Sequence, residues 1–162
     1  MPLSMTAEQP RLLVVAALVW LDPGRLLFQR RGLGASHGAG MLEFPGGKVE
    51  RGEAPAAALA RELVEEWGPE AAVLRVGPIA EVLHHRYAAP GPEVVLLLYH
   101  VRASALMAHG PWRGLLCPEE GVTILESALA DLCAAEFLAA DRALIGRLAR
   151  GELACPWASL PS

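Results

Sequence analysis

Gly46-Gly47-Lys48-Val49-Glu50-Arg51-Gly52-Glu53 is followed, across the spacer Ala54 to Ala60, by Arg61-Glu62-Leu63-Val64-Glu65-Glu66-Trp67-Gly68. The second half reads as the end of a helix. Pro55 suits a first helical position, and Ala56, Ala57, Ala58 and Ala60 favour helix strongly, so the spacing predicts a helix over Ala54–Trp67. Leu59 and Leu63, with Ala56 and Ala60, form its apolar stripe, and Gly68-Pro69 ends it. Glu62, Glu65 and Glu66 then share one face, because side chains three and four residues apart are neighbours on a helix. Like charges at these spacings repel by a few tenths of a kcal/mol per pair. They also crowd the last turn, where the macrodipole disfavours anions. A solvated acidic face is one reading of this arrangement. The other is a set of hard oxygen ligands on a rigid element, suited to Mg²⁺ or Mn²⁺. Such cations offset the repulsion and carry a phosphate-bearing substrate into an acidic site.

Working outward, Leu12 to Leu21 is an apolar run expected to form a strand buried on both faces. Asp22-Pro23-Gly24 is a turn, and Arg25 to Arg31 pairs back as a second strand. Gly32 to Gly40, with His37 among its glycines, reads as a loop. Met41 to Phe44 is a short extended piece stopped by Pro45-Gly46-Gly47. Further strands are expected near 72–76, 79–87 and 93–102, a long loop with one strand in it over 109–121, and helices near 126–134 and 139–150. The chain 1–162 shows no repeat or linker and is expected to be one domain, with 1–10 and 151–162 as loose termini.

Composition narrows the classes. In 162 residues, 53% are hydrophobic and 20% charged, which excludes general disorder. The 16 Gly and 13 Pro follow no collagen-like period. A net charge of −4 argues against a grip on a nucleic-acid polymer. The longest apolar run is too short to span a bilayer. Asp22-Pro23-Gly24 follows it in place of a signal-peptide cleavage site, so no membrane partner is expected. Cys117, Cys133 and Cys155 lie far apart and are odd in number, as reduced thiols of a cytoplasmic protein would be.

The full pattern Gly47-x5-Glu53-x7-Arg61-Glu62-Leu63-x-Glu65-Glu66-x-Gly68 resembles the signature of the Nudix hydrolases. At ordinary residue usage, a chance match of its seven fixed positions is on the order of 10⁻⁶. Two departures stand out: Pro69 replaces the aliphatic residue that follows the last glycine, and Ala54 replaces a Thr or Ser helix cap, a loss of about 1 kcal/mol. Met41 to Glu50, Arg30-Arg31, His37, and Phe137 to Ile145 are similar to the MutT-like branch, whose members sanitise nucleoside triphosphates. The likeness covers roughly residues 11 to 150 and is weakest over 103–125.

The resemblance implies an α+β fold, the Nudix fold, with a mixed β-sheet sandwiched between α-helices. It implies that the Gly46 carbonyl with Glu62, Glu65 and Glu66 holds one or more Mg²⁺, with Mn²⁺ a possible substitute. Glu53 pairs with Arg61 or stands behind the metal's own ligands. A further ligand comes from the loop before the last strand, Glu120 by spacing, with Glu119 the alternative. Arg31 and His37 meet the nucleotide, Lys48 helps hold the phosphates, and Glu43 and Phe44 flank the base.

Metal-activated water would attack the β-phosphorus in line and release a nucleoside monophosphate and pyrophosphate. Glu62 is the first choice of general base, with Glu65 and Glu53 behind it. Asp141 stands where such enzymes read the base. An ionised Asp is acceptor-only, so it suits the N7–H of 8-oxoguanine or the amine of cytosine and repels the N7 lone pair of guanine. Its bland alternative is an acid at a helix N-terminus. Competing functions are hydrolysis of ADP-ribose or of a dinucleoside polyphosphate, and a non-catalytic nucleotide-binding module. His84-His85 occupy the region where ADP-ribose enzymes show a proline, Tyr87 keeps the dinucleoside option open, and retention of all four box glutamates speaks against a module.

Overall fold

The computed structural model describes residues 9–157. In chain order its strands and helices are β1 (Arg11–Asp22), β2 (Arg25–Arg30), β3 (Leu42–Glu43), β4 (Gly46–Lys48), α1 (Pro55–Trp67), β5 (Arg75–Arg86), β6 (Glu93–Arg102), α2 (Ser104–Met107), β7 (Thr123–Ala128) and α3 (Arg142–Ala149). The apolar run is β1, the centre of the sheet. Val15, Ala17 and Val19 point to one face, while Ala16, Leu18 and Trp20 point to the other, and all six are buried. This two-sided burial explains the unbroken hydrophobic pattern.

β2 pairs antiparallel with β1 on one side, and β6 runs parallel to it on the other, from Arg11↔Glu93 to Trp20↔Arg102. β5 lies antiparallel outside β6, while β3 and β7 both pair with β2. One face of this mixed sheet packs on α1 through Leu59, Leu63 and Trp67. The opposite face packs on Phe137 and on Leu144, Ile145 and Leu148 of α3. The architecture is the expected α+β sandwich.

Four local expectations are corrected. Pro45-Gly46-Gly47 does not merely stop a strand: Gly46–Lys48 form β4, antiparallel to β1 at Ala16↔Gly46, Val15↔Gly47 and Val14↔Lys48. The approach needs glycine, since a Cβ on Gly46 would overlap the Val15 carbonyl. The helix expected near 126–134 is instead β7 and a one-turn helix, Leu129–Asp131. Leu125, Leu129 and Leu132 mimic helical spacing, but pairing along β2 from Arg25↔Ala128 to Arg30↔Thr123 overrides it. The strands near 72–76 and 79–87 are one strand, β5, preceded by a one-turn helix at Pro69–Val73. Its register shifts around Pro78, which has no N–H for the ladder. No strand interrupts 109–121, where the one regular turn is Trp112–Gly114.

The C-terminal segment is not loose as far as it is described. Leu153 and Cys155 are buried in the α3-side core, and Trp157 packs against it. The expected loose residues 1–8 and 158–162 lie outside the described residues. Leu153 is 6% exposed, so Leu153→Ala should destabilise the fold by about 2–3 kcal/mol, read from urea unfolding. A loose tail would leave the midpoint unchanged.

Candidate active site

The site begins where β4 lies on β1. Gly47 sits directly against the Glu62 side chain, and a Cβ there would overlap the carboxylate. The two halves of the motif therefore meet through the absence of a side chain. On α1, Arg61 gathers the acids around it. Its Nε and Nη2 donate to the two oxygens of Glu53 (2.8 and 3.0 Å), and its Nη1 reaches Glu62 Oε1 (3.0 Å) and Glu65 Oε2 (3.2 Å). Nη2 also donates to the Lys48 carbonyl (3.1 Å), tying the helix to β4. The Arg61 bond first, and then the Glu50 N–H, hold the Glu53 carboxyl below its ordinary value. Arg61 itself is held more firmly protonated, chiefly by Glu53.

Glu66 stands apart from this group. Gly46 N–H donates to its Oε2 (3.0 Å), and burial, with the nearby Glu43 charge second, pushes its carboxyl up to about 8. The end of α1 is covered by the loop before β7. Cys117 N–H donates to the Trp67 carbonyl and Glu119 N–H to the Glu66 carbonyl, both at 2.9 Å. These bonds satisfy carbonyls that a helix end leaves unpaired. They also bring Glu119 and Glu120 to a cavity of about 410 Å³ whose lining includes Glu66, Glu43, Gln29 and Arg31.

The donor chemistry suits a hard divalent cation. Glu66 is a half-buried carboxylate whose pKa the charges of Glu43 and Glu62 help to raise, and Glu62 is packed against bare backbone. The ligand shell is not drawn together beforehand: among the described residues no three acidic, His or Cys side chains form a ready metal cluster. Glu62 and Glu65 are turned to Arg61.

A second cavity, of about 300 Å³, opens on the other side of Arg31 and Glu43. Its walls include Val14, Ala16, Leu96 and Phe44, with Lys48 and Asp141 among the polar groups. Phe44 is buried against Phe137, with ring centroids 5.5 Å apart. Asp141 immediately precedes α3 and is 7% exposed. Burial first, then Glu43, lifts its carboxyl to about 7, against an opposing hydrogen bond from the Phe44 backbone. Arg31 Nη1 pairs with Glu43 Oε2 at 2.9 Å, while its buried Nε has no partner.

His37 does not line this cleft; its ring meets Tyr87 edge-on at 6.3 Å. Tyr87 and His85 do line it, with centroids 4.4 Å apart. Sequence reading missed Gln29 altogether. It is 1% exposed and links Trp67 to Glu43. A lone amide inside an otherwise apolar buried strand was its available signal.

With the geometry described, the class follows. A profile of the NUDIX domain matches residues 10–141, and the chain belongs to the Nudix family, hydrolases that act on pyrophosphate bonds. Among curated relatives, the CTP pyrophosphohydrolase of Escherichia coli K12 is 37% identical over 132 residues, covering 80% of this chain and 93% of that protein. The 8-oxo-dGTP diphosphatase of the same organism is 41% identical over 58 residues, 36% of this chain and 44% of its own. The fold also matches a MutT protein from Methanosarcina mazei Go1, with a TM-score of 0.66 at 22% identity, over 90% of this chain and 97% of that one. No helix among the described residues is long and apolar enough to cross a membrane.

The raised Asp141 carboxyl has a consequence for stability. Between the unfolded value of 3.8 and about 7, the folded chain binds the extra proton, so this group's contribution falls as pH rises through that window. Asp141→Asn should therefore be most stabilising, relative to the parent, above pH 7. Of a linkage limit of about 4 kcal/mol, about 3 kcal/mol falls between pH 5 and pH 8, read from chemical unfolding at those two values. A pH-independent difference would contradict the burial argument.

Proposed function

We propose that this Nudix hydrolase is a Mg²⁺-dependent nucleoside triphosphate pyrophosphohydrolase, favouring 8-oxo-dGTP or a cytosine nucleotide and releasing the monophosphate and pyrophosphate. The observation that carries this reading is the arrangement around Glu43 and Arg31. On one side lies a mostly apolar cleft with a buried acid at its wall, and on the other the acid-lined cavity at the end of α1. A base and its phosphates could occupy the two sides together. Likeness to a CTP pyrophosphohydrolase over most of both chains supports the substrate class.

In this reading Glu62, Glu65, Glu66 and the Gly46 carbonyl would hold the cation, with Glu120 joining from the loop. Mg²⁺ there would neutralise phosphate charge and make a water more acidic. Glu62 would be the preferred proton acceptor, and Glu65 would follow. Glu53, clamped by both arms of Arg61 and held more acidic, is the weakest base and serves best to orient Arg61. Lys48, exposed at the cleft, meets the phosphates, and Arg31 faces the nucleoside. Attack in line at the β-phosphorus completes the hydrolysis.

Asp141 reads the base. Near its pKa of about 7 both protonation states are populated. The ionised form accepts the N7–H of 8-oxoguanine or the amine of cytosine and repels the N7 lone pair of guanine. The neutral form can donate to that lone pair. Selectivity for 8-oxo-dGTP over dGTP should thus rise by up to about tenfold between pH 6 and pH 8, and flatten in Asp141→Asn, as measured by kcat/KM for both nucleotides.

The decisive assay is pyrophosphate release at fixed Mg²⁺ across canonical and oxidised nucleotides. Glu65→Gln should lower kcat by about a hundredfold or more while nucleotide binding persists. Binding without turnover in the parent chain would make it a module. One observation favours a second substrate class: the paired rings of His85 and Tyr87 at the cleft offer a surface for the far base of a dinucleoside polyphosphate. Faster turnover of such a compound than of any triphosphate would establish that reading instead.

A further inference from the structure

Gln29 lies in β2 with 1% of its surface exposed, between Phe28 and Arg30. Buried amides are retained where they satisfy neighbours. The Trp67 indole donates to Gln29 Oε1 at 2.7 Å. An indole N–H has no acceptor capacity, so this bond fixes which end of the amide faces Trp67. The Nε2 end is thereby aimed at the acids. It donates to Glu43 Oε1 at 3.0 Å, and it shares a cavity wall with Glu66. Glu43 passes the connection to Arg31 through its other oxygen, at 2.9 Å. A single amide therefore stands between the last residue of α1 and the ion pair that walls the cleft.

We infer that Gln29 is a positioning residue whose amide, oriented by Trp67, ties Glu43 to the end of α1 so that the nucleoside cleft and the carboxylate end of α1 keep one fixed relation. This rests on the function proposed above. Glu43 and Glu66 face one cavity and repel each other, so Glu43 needs a neutral donor that fixes it in place, and the Gln29 amide, anchored on the helix's last residue, is that donor. Without it, Glu43 is left to Arg31 alone, Trp67 loses its acceptor, and the cleft wall is free to move relative to the end of α1. Both sites should loosen together, although Gln29 touches neither substrate nor cation in this scheme.

The test uses the full chain and binding readouts that need no turnover. Nucleoside monophosphate affinity (CMP and 8-oxo-dGMP) is measured by calorimetry in EDTA, and Mn²⁺ affinity by electron paramagnetic resonance without nucleotide. Gln29→Met preserves length and removes the donors. It should weaken both affinities by about tenfold while the unfolding transition stays cooperative. Gln29→Glu retains the acceptor for Trp67 but adds a charge, and should weaken nucleotide binding at least as much.

Wild-type chain supplies a measurement that needs no stable variant. The indole N–H resonance of Trp67 should shift when monophosphate fills the cleft in EDTA, and again when Mg²⁺ is added alone. Unchanged affinities in a folded Gln29→Met chain, loss of one affinity without the other, or an indole resonance indifferent to either ligand overturns the inference. Wild-type chain that binds neither monophosphate nor Mn²⁺ overturns the functional reading, and the inference with it.

Discussion

Everything at this site depends on how closely backbone can approach backbone at Gly46 and Gly47. β4 is three residues long and would be a weak strand anywhere else. It holds because it lies on β1, the most buried strand, with no Cβ between Gly46 and the Val15 carbonyl. That seating puts Gly47 against Glu62 and the Lys48 carbonyl within reach of Arg61. The helix is then held to the strand by charge-assisted hydrogen bonds, about twice as strong as neutral ones. Its apolar stripe, Leu59, Leu63 and Trp67, is held by burial on the same face. Packing and polar contacts fix one orientation, in which Glu66 lines the cavity and Glu62 and Glu65 are gathered on Arg61.

Much of this was legible in residue order because it is local. Glu53, Arg61, Glu62, Glu65 and Glu66 depend on helical period and one loop, and the structure brings them together around Arg61 and Gly46. The long apolar run of β1 announced two-sided burial in the same direct way. What failed was decided over distance. Leu125, Leu129 and Leu132 satisfy a helical spacing, and only β2, about a hundred residues earlier in the chain, makes Thr123–Ala128 a strand. Gln29 and Trp67 are 38 residues apart, so no window of sequence contains their bond. The place of the His37 ring, edge-on to the cleft residue Tyr87, is likewise set by a contact across the chain.

Burial separates the acids into kinds that composition alone treats as one. Glu53 and Asp141 are both carboxylates, yet Arg61 holds the first more acidic while desolvation carries the second to about 7. Glu66 moves the same way as Asp141, and for the same leading cause. Glu43 contributes to both shifts, standing between the cleft and the cavity. Its own partners, Gln29 and Arg31, are what make a negative group tolerable at that junction. The fold therefore sets different protonation behaviour for acids that it gathers from distant parts of the chain, which is what acid, base and recognition roles require.

The charge pattern also explains how a chain of net charge −4 can serve a polyphosphate. Arg61 is surrounded by Glu53, Glu62 and Glu65, and Arg31 is paired with Glu43, so the arginines nearest the site bring little uncompensated positive potential. Direct attraction of phosphate to this surface is weak by that arithmetic. Under the proposed function, affinity would come from burying a base in the apolar cleft and from cations that arrive with the phosphates or wait at the carboxylates. Such a division would keep recognition and chemistry separable. A nucleotide with the wrong base would still meet the helix end, but it would lack the cleft contacts that hold its reacting phosphorus in line, and the loss would appear in kcat/KM rather than in the carboxylates themselves.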